Sequence, residues 1–293
     1  MMETRSHNYF PKGSDCLGII LGIDIGGSTT KIVGLREDRS LLSTLQVKAD
    51  DQLTSLYGAL GNFLSSNRLV LQDIRRIVIT GVGASYVEGD IYGIPTIRVN
   101  EFSAAGAGGL SLSGCSNAVV VSMGTGTAFI WAKENGDIQH LGGSGVGGGT
   151  LLGLCSQLVG TNHFDQIQKL SQDGDLHKVD LYVGDMSKEQ VYPLPMDVTA
   201  ANFGNISDDV SPADIALGVT NLVLQAIGSM AVFACRACQT DTVILTGALT
   251  HSSQCQSLFE AFTKLQGVRF LIPENATFAT SIGAALYSMA QED

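Results

Sequence analysis

The sequence predicts an α/β protein built from two related lobes that face each other across a cleft. Two observations carry this prediction. A run of three strands joined by tight turns occurs twice, in residues 19–47 and 118–141, and a strand that ends in Thr-Gly also occurs twice. Such internal similarity indicates a duplicated supersecondary unit. Because ligands of α/β proteins favour the carboxyl ends of strands and the clefts between lobes, the cleft is the expected site.

The first unit begins with the apolar strand IILGID and continues, after Gly26 and Gly27, with the strand KIVGL. Paired glycines are typical of a hairpin turn. The second unit, AVVVSMGTGTAFIWAKENGDIQHL, repeats the order of strand, glycine turn, strand, turn and strand. Ser122 therefore stands in the second unit where Asp24 stands in the first.

The segments RRIVITGVGASYV and DTVILTGALTHSS each run from a β-branched strand into Thr-Gly, and each precedes another strand and an Ala/Gly-rich helix. The chain thus predicts two copies of a β-β-β-α-β-α-β-α layout, the second with a helical insertion at about 150–235. In the insertion, a helix should begin with the N–H groups of Gly147, Gly148 and Gly149 presented to the cleft. A long helix should follow Ser211 as its N-cap.

Composition argues against several classes of function. The net charge is −11, the pI is about 4.8 and no basic stripe exists, which predicts no binding to nucleic acid or to anionic membranes. No apolar run reaches the ~20 residues of a membrane span. Residues 1–17 are expected to form a flexible tail and not a signal peptide. Six scattered cysteines fit the reduced thiols of a cytoplasmic protein.

Three glycine-rich turns are candidates for phosphate binding, because a backbone without Cβ atoms can approach phosphate oxygens closely. They lie at residues 26–27, 124–126 and 145–149. No stretch supplies a Walker A loop, and GSGVGG follows the third strand of a meander, which is the wrong place for a dinucleotide fingerprint. A tight hairpin also needs glycine, so it is the recurrence of these turns that favours phosphate binding.

Three charged side chains accompany these turns. Asp24, at a strand end, could hold Mg²⁺ directly or through waters. Lys31 lies across the hairpin and could reach a phosphate as a point charge. Glu101, where a strand meets a helix of small residues, could take a proton from a substrate hydroxyl. The structural alternatives are a turn-capping Asp, a solvated Lys and a Glu that favours the helix dipole.

Six motifs together resemble the type II pantothenate kinases of the actin/hexokinase/Hsp70-like ATPase superfamily. They are GIDIGGSTTK, VNEFSAAGAGG, SMGTGT, GGSGVGGGTLLGL, TAANFGNI and ILTGAL. The resemblance spans about residues 18–288 and implies duplicated ribonuclease H-like (actin-like ATPase) lobes, the first over 18–115 and the second over 116–293. It implies transfer of the ATP γ-phosphoryl to pantothenate, the first step of coenzyme A synthesis, with ATP and Mg²⁺ as cofactors and a homodimer as the assembly.

The resemblance also implies roles for residues by position. Glu101 corresponds to the catalytic base and Asp24 belongs to the hairpin that handles Mg²⁺. The implied nucleotide contacts are Asp24, Ile25, Gly26, Gly27, Ser28, Thr29, Thr30, Lys31, Thr125, Gly148, Gly149, Thr150, Leu151, Leu152, Phe164 and Ala248. The implied substrate contacts are Glu101, Thr125, His140, Ala200 and Ala201, the last two near the substrate pocket of a neighbouring subunit.

One position departs from the family pattern. His140 stands where the family usually carries an Arg that helps to bind substrate. Histidine lacks the fixed charge and fork geometry of Arg, so the acceptor could be another hydroxylated small molecule. Two further alternatives stay open: an ATP-driven activator of a radical dehydratase, which would carry an iron–sulfur cluster between subunits, and a sensor that binds nucleotide without turnover.

Overall fold

The computed structural model describes residues 17–49, 51–189, 191–192 and 194–290. Apart from Leu17, the predicted N-terminal tail lies outside the described residues. The sequence also predicts a loop of the insertion at Pro193, which lies outside them as well.

The first half of the chain forms a five-stranded mixed sheet with the order β3-β2-β1-β4-β5. Its strands are β1 (Ile19–Ile25), β2 (Thr29–Leu35), β3 (Leu41–Lys48), β4 (Ile74–Thr80) and β5 (Thr96–Arg98). β1, β2 and β3 form the predicted antiparallel meander, and β4 joins β1 in parallel. β1 is buried along almost its whole length, as expected of a central strand that is apolar on both faces.

The second half repeats this order of strands as β8-β7-β6-β11-β12. The strands are β6 (Asn117–Met123), β7 (Thr127–Lys133), β8 (Ile138–Ser144), β11 (Thr242–Thr246) and β12 (Arg269–Leu271). A separate two-stranded sheet pairs β9 (Leu181–Tyr182) with β10 (Thr199–Ala201). The duplication predicted from the sequence is therefore confirmed at the level of strand order and direction.

Eight α-helices occur within the described residues. They are α1 (Gln52–Ser66), α2 (Glu101–Ser113), α3 (Gly148–Leu158), α4 (Phe164–Ser171), α5 (Val183–Met186), α6 (Pro212–Ala237), α7 (Cys255–Gln266) and α8 (Ala279–Met289). The predicted layout is wrong in one place, because β4 and β5 are joined by only a 3-10 turn at Val82–Tyr86. That connection, residues 81–95, holds four glycines and Pro95, which disfavour a helix.

The last helix of each half packs on the sheet of the other half. α8 covers β1 and β4, whereas α2 covers β6, β7 and β8, and the two helices lie against each other between the sheets. The buried residues show the same packing. Ala284 of α8 packs with Ile20 and Val78 of the first sheet, and Ala105 of α2 packs with Val120 of the second sheet. The division into lobes at residues 115 and 116 stays a prediction.

The inserted segment packs on the outer face of the second sheet. Its long helix α6 begins as predicted, with the Ser211 side chain accepting a hydrogen bond from the Asp214 N–H and Pro212 at the first turn. By length and composition alone α6 could cross a membrane, contrary to the expectation that no segment could. However, 61% of its most apolar stretch is buried inside the protein, which is typical of a core helix.

Glycines set the distance between α2 and α8, and this contact gives a testable prediction. A Cβ atom added to Gly108 would lie 1.8 Å from the Ala279 carbonyl oxygen, which belongs to a backbone that cannot move aside cheaply. We expect Gly108→Ala to lower the free energy of unfolding by about 3 kcal/mol and the melting temperature by roughly 6–12 °C.

Gly58→Ala is the matched control, because Gly58 also lies in a helix but has no atom within 4 Å of an added Cβ. There the same substitution should stabilise the protein by about 0.5–1 kcal/mol. Urea unfolding measures both changes. Equal midpoints for the two variants would show that the α2–α8 contact is not close-packed in solution.

Candidate active site

The first glycine turn holds an ion pair at the carboxyl end of β1. Asp24 and Lys31 are paired across the β1–β2 hairpin, and the turn closes with a 3.0 Å hydrogen bond from the Gly26 N–H to the Thr29 carbonyl. The Lys31 Nζ lies 3.9 Å from the Asp24 Oδ2, and both side chains are largely buried. Burial raises the pKa of the Asp24 carboxyl, and the Lys31 ammonium opposes that rise.

The end of β4 forms one wall of this site, and the sequence did not single it out. Thr80 pairs in parallel with Asp24, and Gly81 follows with φ +88°. A Cβ atom at Gly81 would lie 2.6 Å from the Asp24 Oδ1, so a side chain there would displace the carboxylate. The Thr-Gly pair shared by the two halves was the signal that could have identified both residues.

The two predicted phosphate turns meet at their tips. The Ser28 hydroxyl in the first turn lies 3.3 Å from the Thr125 hydroxyl in the second, although 97 residues separate them. The second turn closes with a 2.9 Å hydrogen bond from the Gly124 N–H to the Gly126 carbonyl. Glycine turns from both halves therefore face one another across the same cleft.

The third glycine turn differs from its prediction. The N–H groups of Gly148 and Gly149 donate to the carbonyls of Gly124 and Thr125, at 2.9 and 2.8 Å. The Gly147 N–H donates to the hydroxyl of Thr150 at 3.2 Å. The N–H groups of Gly148 and Gly149 thus fasten α3 to the second turn, and the Gly147 N–H is used by a side chain within α3, so these groups are not presented to the cleft. The backbones approach so closely that a Cβ on Gly147 would lie 2.8 Å from the second turn.

Glu101 is placed by the start of α2. The Asn100 side chain accepts hydrogen bonds from the N–H groups of Phe102 and Ser103. Asn100 is thus the N-cap, and Glu101 is the first residue of the helix. Burial raises the pKa of Glu101 most, the negative charge of Asp24 raises it further, and Lys31 lowers it. The fold therefore brings Glu101 within electrostatic reach of both charged residues of the first hairpin.

His140 lies beside this group. Its exposed imidazole stacks on the Phe102 ring, with centroids 3.8 Å apart and planes inclined by only 5°. Phe102 is the next residue after Glu101, so β8 and the start of α2 together place a hydrogen-bonding ring at the edge of the site.

The remaining predicted residues are less centrally placed. Ala248 follows Gly247, whose added Cβ would lie 2.4 Å from the Met123 carbonyl, so the end of β11 adjoins the second turn. Leu151 joins the core of the second sheet, and Leu152 and Phe164 pack against it.

Ala200 and Ala201 lie in β10, which pairs with β9 in a sheet separate from those of the hairpins. Among the residues that the structure describes, no hydrogen bond, ion pair or ring contact links them or Phe164 to Glu101. All of these binding roles stay predictions.

Asp24 is the candidate ligand for a divalent cation. In the described ranges, no group of three or more His, Cys, Asp or Glu side chains could hold a metal by itself. Mg²⁺ commonly takes one or two carboxylates together with waters and substrate phosphates. A single largely buried carboxylate between two glycine turns fits that pattern.

An open groove of about 960 Å³ lies elsewhere, at the amino-terminal ends of β6 and β11, and Asn117 and Arg269 are among its lining residues. It is at the opposite end of these strands from the glycine turns. It is therefore not part of the site described above.

Comparison with known proteins identifies the family. A family model described as Fumble matches residues 117–285, which is more than half of the chain. The chain belongs to the Fumble family. Type II pantothenate kinases of Staphylococcus aureus, from strains COL and MW2, are each 28% identical over 274 residues, or 90% of this chain and 97% of the relative.

Solved structures show the fold of this Fumble family member. The activator of 2-hydroxyisocaproyl-CoA dehydratase from Clostridium difficile with bound ADPNP has a TM-score of 0.66 at 14% identity, covering 93% of this chain and 95% of its own. A ROK family glucokinase from Streptomyces griseus with glucose and AMPPNP has a TM-score of 0.58 at 13% identity, covering 92% and 99%. The predicted fold class, duplicated actin-like ATPase lobes, is confirmed.

The raised pKa of Glu101 predicts a pH-dependent stability difference. The carboxyl is protonated in both states below its ordinary pKa of 4.5, and its burial costs stability as the pH rises through the higher folded pKa. We expect Glu101→Gln to unfold at a higher urea concentration than the native chain at pH 8 and to lose this gain near pH 4.

Urea unfolding between pH 8 and pH 4 measures this difference and keeps the acidic chain soluble near its pI. Glu134→Gln, on an exposed turn, should leave the urea midpoint unchanged at both pH 8 and pH 4. A Glu101→Gln gain that is independent of pH would contradict the electrostatic explanation.

Proposed function

We propose that this chain transfers the γ-phosphoryl group of ATP to the primary hydroxyl of pantothenate, giving 4′-phosphopantothenate for coenzyme A synthesis. The observation that carries the proposal is the convergence of Glu101, Asp24 and Lys31 beside two facing glycine turns. Phosphoryl transfer needs such a cluster, because its catalysis rests on positioning and on neutralising phosphate charge. Membership of the Fumble family and full-length similarity to type II pantothenate kinases support the choice of acceptor.

In this proposal Glu101 is the catalytic base. The substrate hydroxyl oxygen forms a bond to the γ-phosphorus while the bond from that phosphorus to the β–γ bridging oxygen breaks, and ADP leaves. The hydroxyl proton passes to the Glu101 carboxylate. Because burial and Asp24 raise the pKa of Glu101, its carboxylate is a stronger base than an exposed one.

The first hairpin would manage the phosphate charge. Asp24 would hold Mg²⁺, which supplies charge neutralisation on the phosphates when bound. Lys31 places a positive charge 3.9 Å from the Asp24 carboxylate and is held there by burial. Ser28 and Thr125 present hydroxyl groups from both turns, which suit phosphate oxygens as acceptors.

His140 would recognise the acceptor. Pantothenate carries a carboxylate, and the stacked imidazole at the edge of the site can donate a hydrogen bond to it. The same observation favours a second candidate, a kinase for another hydroxylated metabolite, because a His selects an anion less strictly than an Arg does. A panel of hydroxylated acceptors separates the two candidates.

We further propose a cytoplasmic homodimer in which β10, with Ala200 and Ala201, adjoins the substrate pocket of a second copy. Exposed apolar side chains in the neighbouring segment support an interface there, among them Met186, Tyr192 and Ile206.

The central test measures ADP release from Mg·ATP with and without pantothenate, with the phosphorylated product identified by mass. We expect pantothenate-dependent release. Glu101→Gln should lower kcat by about 10²- to 10⁴-fold, because it removes the proton acceptor, and should change nucleotide affinity by less than about threefold. Unchanged turnover in this variant would remove Glu101 from the mechanism. Release that ignores pantothenate but follows another acceptor would select the second candidate.

His140 gives an independent test of acceptor binding. We expect His140→Ala to raise KM for pantothenate by about tenfold or more, which is the usual loss for one hydrogen bond to a charged group, with ATP affinity unchanged. Gln139→Ala is the matched control, because adjacent strand residues face opposite sides of the sheet. An equal rise in KM for both variants would indicate a general disturbance of β8.

A further inference from the structure

Two buried threonine hydroxyls in the first sheet have no hydrogen-bond partner within the part of the chain that the structure describes. They are the Oγ1 atoms of Thr30 and Thr80, and both residues are 0% exposed. Leaving a buried hydroxyl without a partner costs the folded protein stability. Such atoms in a native protein call for an explanation, and a partner that arrives with a ligand is one.

Thr80 is on the side of the sheet that carries the proposed chemistry. It pairs in parallel with Asp24, so the two side chains project from the same face. Gly81 then keeps the space beside the Asp24 carboxylate free of any side chain. Thr30 differs, because it pairs with Ile25, whose side chain belongs to the core on the opposite face.

The duplicated half provides an internal comparison. Thr246 ends β11 and pairs with Ser122, just as Thr80 ends β4 and pairs with Asp24. The Thr246 hydroxyl donates to the Val121 carbonyl at 3.2 Å. The Thr-Gly strand end therefore offers its threonine a backbone partner. Thr80, whose hydroxyl has no such partner, is the threonine of the two that is paired with a carboxylate residue, Asp24.

We propose that Thr80 is a positioning residue for Asp24. Its hydroxyl donates a hydrogen bond to the Asp24 carboxylate when a nucleotide and its divalent cation are bound, and this bond fixes the orientation of the carboxylate. The proposal rests on the proposed nucleotide and cation site, but not on pantothenate as the acceptor.

The test compares Thr80→Val with Thr80→Ser. Valine has the shape of threonine without the hydroxyl, so removal of an unpartnered group should raise the melting temperature of the ligand-free chain by about 2–6 °C. The same variant should bind Mg·AMP-PNP about 10-fold or more weakly, the usual loss of a hydrogen bond to a charged group. Its kcat should fall by a similar factor. Thr80→Ser should restore both affinity and kcat.

The opposite signs of these two effects distinguish positioning from a structural role. Thr220→Val is the control, because its buried hydroxyl donates to the Ala216 carbonyl within α6, and its nucleotide affinity should match the native chain. A lower melting temperature for Thr80→Val would overturn the proposal, since it would show that the hydroxyl is already bonded. Native affinity in Thr80→Val, or failure of Thr80→Ser to restore it, would also overturn it.

These outcomes are separable from failure of the proposed function. Affinity for Mg·AMP-PNP is measured without any acceptor, so an absence of pantothenate phosphorylation leaves the Thr80 result readable. If the native chain binds no Mg·AMP-PNP at all, the proposed function and the role of Thr80 both fail. If it binds Mg·AMP-PNP but phosphorylates a different acceptor, only the choice of substrate fails.

Discussion

The close crossing of α2 and α8 is the constraint on which the rest of this structure depends. Added Cβ atoms on Gly108 and Gly283 would each lie 1.8 Å from a carbonyl oxygen of the opposite helix. Only glycine permits this approach, which lets two helices share the space between the sheets. Each helix then packs on the sheet of the other half. Because α2 begins at Glu101, the crossing also sets where that carboxyl meets the end of β1.

The site concentrates charge where the protein has little water to solvate it. Asp24 and Glu101 both have raised pKa values because of burial, and the buried Lys31 ammonium offsets only part of the cost. Such an arrangement lowers the free energy of unfolding of the ligand-free protein and favours ligands that bring compensating charge. Stability that is given up at a site in this way is a recurrent trade-off with activity. The unpartnered hydroxyl of Thr80 adds to the same cost.

The glycine-rich start of α3 has a different use from the one its composition suggested. Backbone N–H groups at a helix start can bind an anion, or they can be satisfied by a nearby carbonyl. Here Gly148 and Gly149 donate to the second turn, so the glycines allow two stretches of backbone to pack closely. The second turn is thereby held rigidly opposite the first, where Ser28 and Thr125 meet.

The sequence by itself determined the strands of the two five-stranded sheets, the two hairpins, the duplication and the candidate pair Asp24 and Glu101, because these depend on residue periodicity and on the local demands of glycine turns. It did not determine β9 and β10, which lie in a segment that reads as irregular. It did not determine the missing helix between β4 and β5, or the partners of the N–H groups at Gly148 and Gly149. It also missed Thr80, whose importance comes from a neighbour in another strand. Only the tertiary structure decided these points. Hydrogen-bond partners, burial and the packing of α2 and α8 on the sheet of the other half all arise from contacts between residues distant in the chain.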